Sequence, residues 1–194
     1  MVDGILAVDK PEGISSAALV ARVKRMLKVK KVGHTGTLDP FATGVVLCCI
    51  NKATKISRFL VGSSKAYVAE VELGMETDTL DCTGAVVKQV SEFDVSKSDI
   101  LTTLDKFRGE QMQHPPIYSA LKYEGKPLYQ YAREGNPVIK PPRLVNIYDI
   151  KLISFDFPVV SIYIKCSSGT YIRSIARDMG EILGCGAHLR ALKR

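Results

Sequence analysis

The sequence predicts an α+β fold with a mixed, mainly antiparallel central sheet flanked by helices. Three observations lead there. Strand patterns outnumber helical ones, the helices fall between strands at irregular intervals, and no repeat or low-complexity linker divides the 194 residues, which read as one domain.

The elements follow in order. Residues 4–8 (Gly-Ile-Leu-Ala-Val) read as a short buried strand, and Lys10-Pro11-Glu12-Gly13 as a turn. Ser15 or Ser16 can cap a helix carrying Leu19, Val20, Val23, Met26 and Leu27 at helical spacing, fraying near residues 29–31. Residues 33–43 hold two glycines, three threonines and a proline and read as a loop ahead of a buried strand at 45–50 and a short helix at 53–60. From Tyr67 on, Tyr67, Ala69, Val71 and Leu73 alternate with Glu70 and Glu72, the period of a half-buried strand. Residues 77–84 form a polar loop. Ser96 with Asp99 opens a helix holding Ile100, Leu101, Leu104 and Phe107, which Gly109 stops. His114-Pro115-Pro116 cannot be helical, whereas residues 128–134 form a short helix ended by Gly135. Residues 146–157 and 159–166 read as two strands, a hairpin around Pro158. Thr170 can cap a last helix carrying Ile172, Ile175, Ala176, Met179, Ile182 and Leu183, with Gly184 and Gly186 at its end.

Composition excludes several function classes. Hydrophobic residues make up 46% of the chain against 24% charged, enough for a packed core. No apolar run approaches the roughly 18–20 residues of a membrane span, and the N-terminus lacks the features of a secretory signal. Five cysteines, none spaced C-x-x-C, and three dispersed histidines support neither a disulfide framework nor a metal site, and reduced, buried thiols in the cytoplasm are expected. P-loop, G-x-G-x-x-G and G-x-S-x-G patterns are missing, so no cofactor is expected. The 27 basic and 20 acidic residues leave +7, and Lys24, Arg25, Lys28, Lys30 and Lys31 cluster, with Lys140, Arg143, Arg190, Lys193 and Arg194 further on. Such clustering fits either a nucleic-acid partner or a solvated helix face.

Four residues stand out for chemistry. Asp39 precedes Pro40, which holds its backbone extended, in a Gly/Thr-rich loop ahead of a buried strand. It reads either as a nucleophile or base at a sheet edge or as an ordinary Asp-Pro turn. Arg173 falls in the first turn of a helix, where it could hold a phosphate or a carboxylate or else lie on the surface. Tyr67 and Tyr171 could stack on an unpaired base or pack in the core.

At Asp39 the pattern becomes familiar. Gly33-His34-Thr35-Gly36-Thr37-Leu38-Asp39-Pro40-Phe41-Ala42-Thr43-Gly44-Val45 closely resembles the signature loop of the TruB family of pseudouridine synthases. In the same order, Val8-Asp9-Lys10-Pro11-Glu12-Gly13-Ile14-Ser15-Ser16 is similar to the family's N-terminal motif. Pro115-Pro116-Ile117-Tyr118-Ser119-Ala120-Leu121-Lys122, with Gly125, Tyr129 and Ala132-Arg133-Glu134-Gly135, resembles its middle motif. Cys166-Ser167-Ser168-Gly169-Thr170-Tyr171-Ile172-Arg173-Ser174 and Gly186-Ala187-His188-Leu189 resemble its last two.

The resemblance implies the pseudouridine synthase fold and conversion of uridine 55 in the T-loop of tRNA to pseudouridine, without cofactor or metal, by a cytoplasmic monomer that needs no protein partner and no membrane. It implies Asp39 as the catalytic aspartate, Arg173 as the arginine paired with it, Tyr67 as the tyrosine stacking on the target base, Tyr171 and Leu192 as lining for the uracil, and His34 as the residue entering the T-loop where the flipped base was. The chemistry suits these roles, because an everted nucleotide needs its vacancy filled and its stacking replaced. An arginine within about 4–6 Å favours an ionised carboxylate. The family ordinarily continues beyond the last motif and adds a small RNA-binding PUA domain. A catalytic domain over residues 1–194, incomplete at its C-terminal end and without a PUA domain, is therefore expected. Arg190-Ala191 stands where the family often has an aromatic. The alternatives are a guide-dependent relative of the H/ACA type and a non-catalytic RNA-folding or RNA-binding module. A glycosidase-like pair of carboxylates would need a second acid, for which Asp9, Asp78 and Asp81 are the candidates.

Overall fold

The N-terminal strand, β1 (Gly4–Lys10), runs two residues beyond its apolar stretch and is largely exposed, with Ile5 and Leu6 reaching solvent. The expectation of a buried strand fails because β1 lies at the edge of a three-stranded sheet. A computed structural model describes residues Val2–Arg194. They form two compact units, the first running to Lys65 and including Leu192–Arg194, the second spanning Ala66–Ala191.

In the first unit Ser15 caps α1 (Ser16–Met26), its hydroxyl accepting from the Ala18 amide at 3.1 Å. Leu19 and Val23 are the buried stripe of α1, while Met26, expected on it, is exposed. Next comes β2 (Val32–His34), three residues inside or beside the stretch expected to be loop, then β3 (Gly44–Ile50). Both β1 and β2 pair antiparallel with β3, in the order β1-β3-β2. The single helix expected at 53–60 is a 3₁₀ turn, Asn51–Lys55, followed by α2 (Ser57–Val61). Asn51 starts the turn early because its amide donates to Lys31 O and its side chain to Val2 O.

The second unit is built on strand β4 (Lys65–Leu73), in which Ala69, Val71 and Leu73 are buried and Tyr67 is half-buried. A small hairpin, β5 (Met75–Thr77) and β6 (Val86–Gln89), brackets the polar loop at 77–84. The capping box expected from Ser96 and Asp99 opens α3 (Lys97–Lys106). Then follow β7 (Gly109–Gln113), the short pair β8 (Lys122–Tyr123) and β9 (Lys126–Pro127), and α4 (Leu128–Arg133). Strands β10 (Arg143–Asp156) and β11 (Val159–Cys166) form the hairpin around Pro158, with Asp156 opposite Val159. Helix α5 (Ile172–Leu183) ends at Gly184, whose φ of +76° is a left-handed cap. The chain closes with β12 (Ala187–Lys193). The five-stranded sheet has the order β12-β4-β11-β10-β7, with β10 antiparallel to both its neighbours. Helices and largely antiparallel sheets together make this an α+β fold. No helix among the described residues is long and apolar enough to cross a membrane.

Candidate active site

The loop bearing Asp39 is short of regular structure, so side chains must hold its backbone. Ser16 does so on one side: its hydroxyl accepts from the Leu38 amide at 2.8 Å and donates to the Leu38 carbonyl at 3.0 Å. Lys10 does so on the other. Its side chain is fully buried, and Nζ donates to the carbonyls of Pro11 (2.9 Å), Ile14 (2.8 Å) and Pro40 (3.1 Å), one acceptor for each ammonium proton. Burial pulls the Lys10 pKa below its ordinary value, while the charges of Asp39 and Glu12 act against that. The Gly13 amide donates to the Pro40 carbonyl (2.8 Å), and the Ala42 amide closes a turn on the Asp39 carbonyl (3.1 Å). Leu38, Phe41 and Ala42 are buried on either side of the half-exposed Asp39. The backbone at Asp39 is thus preorganised by groups from two other sequence motifs.

His34 ends β2 at the entrance to this loop. Burial lowers its pKa, the charge of Arg194 pushes the same way, and the hydrogen bond with the Gly36 backbone opposes both. The Gly36 amide donates to Nδ1 at 3.4 Å, which suits a neutral ring. Arg194, expected as a phosphate contact, has its guanidinium on the carbonyls of Val45 (2.8 Å), Gly36 (3.2 Å) and Thr37 (3.5 Å). Its backbone exchanges hydrogen bonds with Thr43 and Val45, and the Leu192 carbonyl accepts from the Thr43 amide. That strand approaches so closely that a Cβ at Gly44 would lie 2.3 Å from the Arg194 oxygen, so only glycine fits. Leu192 is 8% exposed, beside Thr43.

In the second unit Arg173 is 4% exposed, which removes the surface reading. Its guanidinium donates to the carbonyls of Thr79 (2.7 Å) and Tyr118 (2.9 Å) and pairs with Asp81 at 3.4 Å. Asp81 is itself caged: its Oδ1 accepts from Thr79 Oγ1 (2.8 Å), Thr83 N (3.0 Å) and Thr83 Oγ1 (2.6 Å). Thr77 Oγ1 donates to the Asp81 carbonyl at 2.7 Å. The carboxylate that Arg173 meets within its own unit is therefore Asp81, which the sequence offered only as a candidate second acid. Three threonines at −4, −2 and +2 from one aspartate were the available signal.

Thr170 does not cap α5, because its hydroxyl turns back to the Ser167 carbonyl (2.9 Å). Tyr171 stands at the cap position instead. The buried amide of Gln113, at the end of β7, clamps it: Oε1 accepts from the Tyr171 amide (2.8 Å) and Nε2 donates to its carbonyl (3.1 Å). Sequence reasoning missed Gln113, which no motif marks. The Arg143 guanidinium lies over the Tyr171 ring, 4.7 Å from its centroid, and donates to the Gly169 carbonyl. Tyr67 and Tyr171 are both half-buried, each presenting part of an aromatic face. Of the predicted residues, His34, Asp39 and Leu192 belong to the first unit, and Tyr67, Tyr171 and Arg173 to the second.

A family model described as TruB family pseudouridylate synthase, N-terminal domain, matches residues 24–172. A protein from Bordetella avium named tRNA pseudouridine synthase B is 50% identical over the whole chain, which covers 80% of that protein. A Haemophilus influenzae protein of the same name is 45% identical, again over the whole chain. The chain spans only 62% of its length. Among solved structures, a Cbf5–Nop10–Gar1 complex matches with a TM-score of 0.77 and 31% identity, covering 98% of this chain and 47% of the matched one. The chain belongs to the TruB family of pseudouridylate synthases.

Proposed function

We propose that this chain converts uridine 55 in the T-loop of tRNA to pseudouridine, with Asp39 as the catalytic residue. The observation that carries this reading is the 50% identity, over the whole chain, to a protein named tRNA pseudouridine synthase B. The target nucleotide leaves the loop at a cost of a few kcal/mol. His34, neutral near pH 7, fills the vacancy, and Tyr67 takes over the lost stacking. Tyr171 and Leu192 line the uracil, and Arg173 supplies positive charge to the same nucleotide. Ionised Asp39 acts on the ribose, either at its anomeric carbon or on one of its protons. The C1′–N1 bond breaks, the base turns, and C5 bonds to C1′. The C5 proton is lost and N1 gains one, so atoms balance and no oxidant or energy source is consumed. A preorganised loop at Asp39 suits such a step, because the reacting group needs no reorganisation.

The enzyme acts as a cytoplasmic monomer on tRNA alone. A guide-dependent reading has one observation in its favour, the similarity to Cbf5, solved in a complex with Nop10 and Gar1. Its 31% identity is well below the 45–50% shared with the tRNA enzymes. The test is incubation of the purified chain with an unmodified tRNA transcript, followed by mapping of pseudouridine. Product at uridine 55 without guide RNA or added protein supports the proposal. Product only when a guide ribonucleoprotein is supplied transfers the chain to the second reading, and no product under either condition refutes both.

A further inference from the structure

Charge is divided unevenly along this chain. The first unit holds 13 of the 27 basic residues and 4 of the 20 acidic ones, a net +9. The second holds the other 14 and 16, a net −2. Between Glu12 and Glu70 the only acidic residue is Asp39.

Eight of these cations fall on two segments that the fold ties together. One is the C-terminal half of α1 and the chain after it, with Lys24, Arg25, Lys28, Lys30 and Lys31. The other is the 3₁₀ turn with α2, carrying Lys52, Lys55 and Arg58. The Lys31 amide donates to Asn51 Oδ1 (3.1 Å) and the Asn51 amide to the Lys31 carbonyl (2.8 Å), so the segments meet edge to edge. All eight side chains are exposed, and among the described residues none of them forms an ion pair. The one carboxylate at the rim, Asp3, accepts from the Lys52 backbone amide. In the middle of the second segment Phe59 is 68% exposed, with the Arg58 guanidinium 4.8 Å from its ring centroid.

We propose that this face is a second RNA-binding surface, which follows the sugar–phosphate backbone of the substrate RNA outside the loop being modified and offers Phe59 as a stacking platform for an unpaired base. The argument is charge complementarity. Eight unpaired cations repel one another, and an aligned row of phosphates removes that repulsion while releasing condensed counterions. An arginine-backed aromatic suits a base better than it suits water. The occupant is RNA because, under the proposed function, this same unit brings Asp39 and His34 to an RNA. An anionic membrane is the competing occupant, since Ile56 and Val61 beside Phe59 are also exposed.

The test uses the full chain carrying Asp39→Asn, so that binding is read without turnover. Lys24→Gln, Lys28→Gln, Lys52→Gln and Lys55→Gln are combined, and affinity for an unmodified tRNA transcript is measured across a salt series. The slope of log Kd against log salt should fall by about 3, and affinity near 100 mM salt by about 10- to 100-fold. Lysine-to-arginine changes at the same four positions should restore both, which separates lost charge from a damaged fold. Phe59→Ala should weaken binding about tenfold with the slope unchanged, the signature of lost stacking. An unchanged slope in the glutamine variant overturns the proposal, whatever Phe59→Ala does. So does capture of the parent by phosphatidylglycerol vesicles that the glutamine variant no longer binds, if tRNA affinity stays level. The inference rests on the proposed function, yet the two fail separately. A reduced slope without pseudouridine formation by the parent leaves the surface standing, and product formation with an unchanged slope leaves the enzyme standing.

Discussion

His34 makes the folded chain sensitive to mild acid. Burial holds its pKa below the ordinary 6.5, so between that value and the lower folded one the unfolded chain binds a proton that the folded chain resists. Stability from this group is complete above about pH 6.5 and is lost as the pH falls through the folded pKa. Urea denaturation between pH 7.5 and 5 should therefore show a smaller loss of stability in His34→Asn than in the parent, and parallel pH profiles would count against it. Asp81 poses a sharper case. Its carboxylate meets a guanidinium that is itself buried, and taking away one member of such a pair leaves the other uncompensated. Asp81→Asn should cost about 3 kcal/mol of stability. It should also reduce turnover, because Arg173 loses its fixed orientation. Full activity at full stability in Asp81→Asn would show that the threonine cage does nothing for Arg173. The sequence left Arg173 open between surface and site, since helix position alone carries no information on burial. The Thr-Asp-Thr-Leu-Asp-Cys-Thr pattern of residues 77–83 was visible, but its meaning depends on which carboxylate the hydroxyls face.

The loop between β2 and β3 owes its shape to β1 and α1. Lys10 satisfies three carbonyls from two segments that are otherwise bare of partners, and each buried carbonyl left unpaired costs about 1–3 kcal/mol. Lys10→Met keeps most of the volume and removes all three bonds. It should lower the unfolding free energy by about 3 kcal/mol or more and raise proteolytic cleavage within residues 35–43. Cleavage at the parent's rate would mean that Ser16 and the buried Leu38 and Phe41 suffice to hold the loop. Elements with strong local signals were legible: the capping box of α3, the alternation in β4, the turn at Pro158. Those that failed lack such signals. Strand β7 reads Gly-Glu-Gln-Met-Gln, with no apolar alternation, and it pairs at the edge of the sheet with Met112 exposed. In β12 His188 and its neighbours Ala187 and Leu189 are all buried, so the period of two never shows. The cap of α5 was misplaced because a glutamine 58 residues earlier in sequence, Gln113, takes the backbone groups that Thr170 was expected to take.

On the scale of the chain, length and composition supported a packed α+β protein with a polyanionic partner. They did not anticipate that the positive charge would gather in one unit while the other carries a slight negative excess. Linear clusters hinted at it, yet the cluster at residues 24–31 joins Lys52, Lys55 and Arg58 only through the pairing of Lys31 with Asn51. Local chemistry alone left Asp39 balanced between an Asp-Pro turn and a reacting group, and the turn is present. What raised Asp39 above the other acids was the resemblance of its whole loop to a family signature, and membership of that family stands on the full-length match. The account therefore turns on this one carboxylate. The direct measurement is single-turnover pseudouridine formation on an isolated T-stem-loop by the parent and by Asp39→Asn, with RNA affinity measured in parallel. Affinity should stay within about threefold, because removing one partly exposed carboxylate leaves the phosphate contacts intact, while product formation in the variant falls to background. Product from Asp39→Asn at the parent's rate would contradict the account.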